Sequence, residues 1–234
     1  MRGSWKKMVV NYDQDVEWHD LKREVLDRQI YYFQTENPAP VIVDAGAHIG
    51  LATLYFKWLY PEARVWAFEP NPHVRALLEQ NVAENNLTGV TVMPQAVSNH
   101  AGTAKFYIDA TDWRWWSVGS MRRGAWNGEQ KNQKEITVES IKFSDFVQNF
   151  TTIDLLKLDI EGSEQAILYS LRGQLSKIKQ LIFEFHPTRE QNLTDLTRFL
   201  RKSGFEIAFK NRKNQKINAW HDGELVLVEA ERDG

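Results

Sequence analysis

Hydrophobic positions along this chain come in two kinds of block that take turns. Val41-Ile42-Val43 is a short unbroken apolar run, the pattern of a strand buried on both faces. Residues 49–60 then carry helical apolar spacing up to a stop at Pro61. Arg64–Phe68 reads as a second strand, and residues 72–85 as a helix with Pro72 in its first turn, where a missing N–H is harmless. Val90–Met93 is a third strand. This rhythm predicts a parallel sheet with helical crossovers. It returns later as Ile153–Leu158 (strand), 163–171 (helix), Ile178–Phe185 (strand) and Leu193–Lys202 (helix, stopped at Gly204). Residues 205–209 and 224–228 predict a closing antiparallel pair. Ahead of the first strand, Leu21, Val25, Leu26, Ile30 and Phe33 predict a lead-in helix over 20–34, ended by Asn37-Pro38-Ala39-Pro40.

Between the two halves the rhythm breaks. Residues 103–108 and 135–141 alternate like antiparallel strands. The 26 residues from 109 to 134 between them hold four Trp and three Arg. A loop of that length in a compact domain is expected to be a functional lid. Packing of the same tryptophans as a satellite core is the alternative. The chain thus divides into 1–37, a leader and lead-in helix, and 38–234, one α/β domain carrying the aromatic-rich insertion. Residues 1–4 resemble an expression-vector leader and are expected to take no part in the fold.

Composition narrows the function classes. With 234 residues, 42% hydrophobic and 26% charged, the chain can bury a core of ordinary size. A net charge of -2 supplies no bulk field for nucleic acid or anionic membrane. Cysteine is absent, which excludes disulfides, thiolate metal sites and a Cys nucleophile and fits a reducing compartment. No signal-peptide core is present, and no apolar run approaches the roughly 18 residues of a membrane span. A cytoplasmic location is the expectation.

Five strand ends carry the candidate chemistry. Asp44-Ala45-Gly46-Ala47-His48-Ile49-Gly50 is an acid and a glycine turn opening a helix, which lets a ligand approach backbone N–H groups. It meets neither the dinucleotide fingerprint nor the P-loop pattern, and a tight strand–helix turn without a ligand is the alternative. Glu69 closes the second strand, followed by Pro70 and Asn71, where an acid can accept from two ribose hydroxyls. Gln95 and Ala96 follow the third strand, in position to meet an adenine edge, although an ordinary strand exit has the same pattern. Asp159 and Glu161 end the fourth. Ser163 is a candidate cap of the following helix, and Glu164, in its first turn, is read as structural. Glu184 and His186 end the fifth and share a face.

Three of these segments resemble the FkbM family of S-adenosylmethionine-dependent methyltransferases: Val43-Asp-Ala-Gly-Ala-His-Ile-Gly50, Ala67-Phe-Glu-Pro-Asn71 and Asp154-Leu-Leu-Lys-Leu-Asp-Ile-Glu-Gly-Ser-Glu164. The resemblance runs from about Pro38 to Val228. It implies a class I methyltransferase (Rossmann-like) fold: a seven-stranded, mostly parallel sheet, helices on both faces and an antiparallel last strand, here preceded by an N-terminal helix. It also implies S-adenosylmethionine as cofactor. The turn of Asp44, Gly46, Ala47, His48 and Gly50 would hold its methionine part, Glu69 the ribose, and Gln95, Ala96 and Val97 the adenine side; Pro70, Asn71 and Asp159 are further candidate cofactor contacts. His48 stands where the family often has Asn.

The expected reaction is O-methylation of a small-molecule hydroxyl, on a sugar or a polyketide. Positioning supplies much of the rate, and a base must take the hydroxyl proton. A neutral His186, oriented by Glu184 or Glu161, is the first candidate, then Asp159 and Glu161. A divalent cation on Asp159, Glu161, Glu184 and His186 is a disfavoured alternative. Trp113, Trp115, Trp116, Arg122 and Trp126 are the candidate acceptor contacts, with Gly119 and Gly124 as hinges. A nucleic-acid methyltransferase, an NAD-linked enzyme and a non-catalytic nucleotide-binding module remain as rivals.

Overall fold

In the computed structural model, which describes residues 1–109, 119–122, 133–220 and 224–232, the chain opens with a hairpin of Arg2–Trp5 (β1) against Met8–Asn11 (β2). Residues 1–4 are therefore part of the fold and not the inert leader expected of them. Trp5 is buried beside Tyr55 and Trp58, and Arg2 pairs with Glu84 at 2.7 Å. Helix α1 (Asp15–Leu21) runs directly into a π-helical segment over Lys22–Asp27. The single helix expected over 20–34 is thus corrected in position and length. Gln29 adopts a left-handed φ of 54°, and beyond it Ile30, Tyr31 and Phe33 reach the core from non-helical chain. Their apolar spacing imitated a helix because a chain running along a core also buries residues at irregular short intervals.

The alternation then follows its expected course through β3 (Val41–Ala45), α2 (Leu51–Leu59), β4 (Arg64–Phe68), α3 (Pro72–Glu84) and β5 (Val90–Met93). Asn71 caps α3, its side chain accepting from the His73 N–H at 3.1 Å. Strands β6 (Ala96–Ser98), β7 (Gly102–Asp109), β8 (Gly119–Ser120) and β9 (Gln133–Lys142) form a separate four-stranded sheet, with β7 and β9 antiparallel as their alternation predicts. After these come α4 (Phe143–Val147), β10 (Ile153–Leu158), α5 (Glu164–Ser170), β11 (Ile178–Phe185), α6 (Leu193–Lys202), β12 (Glu206–Lys210), β13 (Lys216–Ile217) and β14 (Val226–Glu231).

The main sheet has the order β13-β12-β14-β11-β10-β3-β4-β5. β11, β10, β3, β4 and β5 are parallel, and β14 runs antiparallel between β11 and β12. This is the expected seven-stranded sheet with its last strand reversed, plus the two-residue edge strand β13. Alternate side chains feed two cores. Val41, Val43, Leu156 and Leu158 pack with α4, α5 and α6, while Ile42, Val65, Leu155 and Ile182 pack with α2, α3 and the N-terminal elements. With both faces covered, a ligand is left the carboxyl edge of the sheet. Strand order reverses between β3 and β10, and their exit loops flank the crevice where open α/β sheets bind ligands. Among the described residues no helix is long and apolar enough to cross a membrane.

Candidate functional site

The two exit loops touch. The Asp159 N–H donates to the Ala45 carbonyl at 3.0 Å, and a Cβ on Gly46 would fall 1.8 Å from the Asp159 carbonyl oxygen. Gly46 also has a φ of 81°, so only glycine fits both the turn and the close approach. Non-glycine residues with left-handed backbone stand on each loop, His48 and Glu161, each with φ of 55°. Such strained residues gather where a binding geometry is imposed by the surroundings.

The turn's N–H groups are less available to a ligand than the sequence suggested. Gly46 and Ala47 both donate to the Phe68 carbonyl, at 3.1 and 2.9 Å. His48 N–H donates to Glu69 Oε2 at 3.0 Å, and Gly50 N–H to the Ala47 carbonyl at 2.9 Å. The end of β4 thus fixes the turn. Glu69 Oε1 accepts from the Asn71 N–H at 2.8 Å, so Asn71, whose side chain caps α3, holds Glu69 in place. Burial raises the Glu69 pKa against the opposing pull of His48 and these N–H groups. Ala47 packs beneath the turn with Ala67 and Leu78, and Ala96 packs into the small core of the second sheet, so each presents backbone rather than side chain. Among the described residues, His48 Nδ1 and Gln95 Oε1 are buried polar atoms at this edge without a hydrogen-bond partner.

Asp44 does not face the crevice as a ligand. It is fully buried, accepting from Thr53 Oγ1 at 2.7 Å and from Lys157 Nζ at 3.0 Å. Lys157 sits directly opposite on β10, also donates to the Gly46 carbonyl at 2.8 Å, and lies 3.9 Å from Asp159 Oδ2. Its signal in the sequence is a lone cation inside the otherwise apolar end of that strand.

Acids gather beyond this pair. Asp159, with 26% of its side chain exposed, lines the crevice. The Tyr31 hydroxyl lies 3.2 Å from Asp159 Oδ2 and 2.6 Å from Glu184 Oε1. Tyr31 escaped the sequence reading, since nothing in its segment marks one aromatic among several. His186 Nδ1 is 3.1 Å from Glu164 Oε1, and Nε2 is 3.3 Å from Glu161 and 3.9 Å from Asp159. Burial lowers the His186 pKa, but Glu161, Glu164 and Asp159 more than offset it and hold the ring well above its ordinary value. The expectation of a neutral His186 is therefore corrected towards the protonated ring; of its expected orienting acids Glu161 does lie at Nε2, while Nδ1 meets Glu164 in place of Glu184. Glu164 accepts from the Ile160 and Gly162 N–H groups at 3.3 and 3.0 Å, while the expected Ser163 side-chain cap of α5 does not form. The Asp159, Glu184 and His186 donor atoms lie within 4.8 Å of one another, a spacing that would admit a cation. The Tyr31 hydroxyl bridges the two carboxylates instead, with the Lys157 ammonium beside Asp159.

Burial and the charge of Asp159 push Glu184 up to about 7, against the pull of His186, Tyr31 and Lys157. A carboxyl raised in the folded state is bound more tightly to its proton there, so its contribution to stability is lost as pH rises from the ordinary carboxylate range to about 7. Urea unfolding midpoints should fall across that interval, and Glu184→Gln should flatten that part of the slope. An unchanged slope in the variant would place the neutral-range titration elsewhere.

Trp113, Trp115, Trp116 and Trp126, with Gly124, lie outside the described residues. Within the expected lid, residues 119–122 are anchored. Gly119 is no hinge: it pairs in β8, and a Cβ there would fall 2.1 Å from the Phe106 ring. Ser120 Oγ donates to the Glu161 carbonyl at 2.7 Å, and the Arg122 N–H to Ser120 Oγ at 2.9 Å. Arg122 pairs with Glu190 at 2.5 Å and, with Ser98, Met121 and Ser163, lines a cavity of about 410 Å³. The cavity's other lining residues are Asn99, Ala166, Ile167 and Glu190, so it opens beside α5 and apart from Gly46, Glu69 and Asp159.

The sheet order, glycine turn and strand-end acids define a class I methyltransferase fold. Methyltransferase FkbM from Methylobacillus flagellatus KT superposes with a TM-score of 0.54 at 17% identity, over 84% of this chain and 45% of that one. TYW2 from M. jannaschii, determined in complex with AdoMet, gives 0.50 at 13% identity, over 99% of this chain and 86% of that one. The model of the "Methyltransferase FkbM domain" family matches residues 44–207, and the chain belongs to this family. Relatives include Methyltransferase sdnD of Sordaria araneosa, 29% identical in an alignment 177 positions long that covers 65% of this chain and 68% of that protein. The 2-O-methyltransferase NoeI of Sinorhizobium fredii is 26% identical in an alignment 159 positions long that covers 64% of this chain and 65% of that protein.

Proposed function

We propose that the chain transfers a methyl group from S-adenosylmethionine to a hydroxyl of a small molecule such as a sugar or a polyketide. The observation that carries this reading is Asp159, a partly exposed carboxylate beside the Gly46 turn with a hydrogen-bonded tyrosine behind it. That arrangement suits an acceptor that must lose a proton. The name 2-O-methyltransferase borne by one relative agrees with it.

The residues fit the cofactor. The unpartnered Gln95 Oε1 suits the exocyclic amine of adenine, and Glu69 Oε1 and Oε2 retain lone pairs for ribose hydroxyls. The unpartnered His48 Nδ1 and the carbonyl side of the 44–50 turn suit the polar methionine end. When bound, the cofactor supplies an electrophilic methyl on a sulfonium. Asp159 and Glu161, just past the end of β10, would offer that cation carboxylates nearby. Asp159 replaces His186 as the proposed base, and protonated His186 orients Asp159 and Glu161. Holding the acceptor oxygen in line supplies about 7–11 kcal/mol of the barrier reduction. Arg122 is the proposed acceptor contact. No divalent cation is part of the proposal, because the Tyr31 hydroxyl sits between Asp159 and Glu184 and the Lys157 ammonium lies beside Asp159.

Incubation with methyl-labelled S-adenosylmethionine and a panel of glycans, polyketides, peptides and RNA tests this. Label in an ether methyl of a small molecule supports it; label confined to RNA or to nitrogen overturns it. Glu69→Ala should weaken cofactor binding by about 1.5–3 kcal/mol, the scale of hydrogen bonds to a charged group. Calorimetry showing equal affinity in a folded variant would remove Glu69 from the site.

A further inference from the structure

We propose that Tyr31 is a proton relay that carries the acceptor's proton from Asp159 to Glu184; this rests on the hydroxyl-methylation reading above. The Tyr31 oxygen lies 2.6 Å from Glu184 Oε1 and 3.2 Å from Asp159 Oδ2. A phenol has one proton to donate, and an ionised carboxylate only accepts. With both acids ionised, one of these two contacts has no hydrogen in it. Both become hydrogen bonds only when a second proton joins the row of three oxygens. The row is thus built with room for one more proton, and its three groups are fixed: Tyr31 is 2% exposed, with the Lys157 ammonium 5.0 Å from its ring centre, and Glu184 is set in the sheet on β11.

The two ends differ. Both carboxylates are half-buried, but Asp159 stands in the exit loop against the Gly46 turn, and Glu184 lies on β11, one strand further from that turn. The groups facing Glu184 are Lys157 from β10, Asp159 just beyond that strand, Tyr31 from the segment ahead of β3, and His186 just past the end of its own strand. Together with burial they place its titration near 7, so it accepts a proton and returns it to water in neutral solution. Before reaction, Tyr31 donates to ionised Glu184. The acceptor oxygen forms its bond to the methyl carbon, and the carbon–sulfur bonding pair remains on sulfur. The hydroxyl proton passes to Asp159, Asp159 protonates the Tyr31 oxygen, and the Tyr31 proton moves to Glu184. One positive charge on sulfur and one negative charge on Glu184 disappear together, so charge balances. Afterwards Tyr31 donates to Asp159, the reverse of its first orientation. The relay keeps Asp159 ionised for the next acceptor without opening the crevice to water. The break at Gln29 is what lets the N-terminal segment deliver Tyr31 here, since a continued helix over 30–33 would turn it elsewhere.

The test has two arms, each with Tyr31→Phe and Glu184→Gln. In the first, carboxyl-labelled protein without cofactor is titrated by carbon-13 NMR. The Asp159 resonance should move with the Glu184 titration near 7, and Tyr31→Phe should abolish this coupling while raising the Glu184 midpoint. Independent titrations in the unaltered protein, or an unshifted Glu184 midpoint in Tyr31→Phe, overturn the relay. This arm stands whatever the acceptor, so it separates failure of the relay from failure of hydroxyl methylation. In the second arm, kcat should fall about 10- to 100-fold in both variants, part of what proton transfer contributes. The acid limb of the kcat profile near 7 should be lost in Glu184→Gln, and a curved solvent-isotope proton inventory should become linear in Tyr31→Phe. A lowered kcat with limb and inventory unchanged assigns Tyr31 to packing and overturns the proposal. So does stoichiometric manganese binding that restores activity after chelation and is lost in Glu184→Gln.

Discussion

Asp159→Asn is expected to cut turnover by about 10²–10⁴-fold while cofactor affinity stays close to that of the unaltered protein. Asparagine preserves the shape of the side chain at the lip of the crevice, and the Asp159 backbone keeps its bond to Ala45. What disappears is the ability to take a proton. The loss should appear in kcat, because the interaction matters only as the hydroxyl proton leaves. Rapid-quench measurement of one turnover separates this from slow product release. A variant within threefold of the unaltered rate would show that the acceptor is acidic enough to need no base, or that Glu161 serves instead.

Lys157→Met is expected to destabilise the fold by about 3–5 kcal/mol, the cost of stranding a buried charge. Asp44 is fully buried and would keep only the Thr53 hydroxyl. The Gly46 carbonyl would lose its ammonium donor at the same time, so cofactor affinity should fall with stability. Burial works against the Lys157 charge, but Asp44 and Asp159 more than compensate, and its pKa is raised. A raised lysine contributes fully below its unfolded pKa and loses that contribution only as pH climbs through the folded one. The difference between the two proteins in urea should therefore stay level through neutral pH and narrow in strong alkali. Combining Lys157→Met with Asp44→Asn should recover part of the loss. Equal unfolding midpoints for Lys157→Met and the unaltered chain would mean that the pair is worth no more than a hydrophobic contact.

The sheet was readable in the sequence because strands buried on both faces show as unbroken apolar runs between glycine, proline and asparagine. Arg64–Phe68, Val90–Met93, Ile153–Leu158 and Ile178–Phe185 fall where the pattern puts them. The site was readable as far as the strand ends, since the topology brings Gly46, Glu69, Asp159 and His186 to one edge. What side chains do there depends on partners far apart in sequence. Asp44 looked like a ligand until Lys157, 113 residues away, took it. His186 looked like a neutral base because the three acids that raise its pKa come from a loop and helix start whose left-handed turn at Glu161 has no sequence mark. Tyr31 was invisible because its segment leaves the helix at Gln29, a residue with no preference for that backbone. The N-terminal hairpin was missed for a different reason: four-residue strands carry too few positions to show a period.

The position of Val226–Glu231 bears on how a ribosome can make this protein. The strand comes last in the sheet by sequence, yet it pairs along both edges, six residues with Ile178–Phe185 and five with Glu206–Lys210. Until it leaves the exit tunnel, one flank of the parallel core ends in an open row of N–H and C=O groups beside Phe183 and Phe185. Such an edge is a template for pairing with another nascent chain. Domain closure must therefore wait until that strand has emerged, and the intermediate before it is a nearly complete sheet with a slot in it. A peptide matching Val226–Glu231 would compete for that slot, and the folding yield of the chain on the ribosome should depend on chaperones that cover exposed strands.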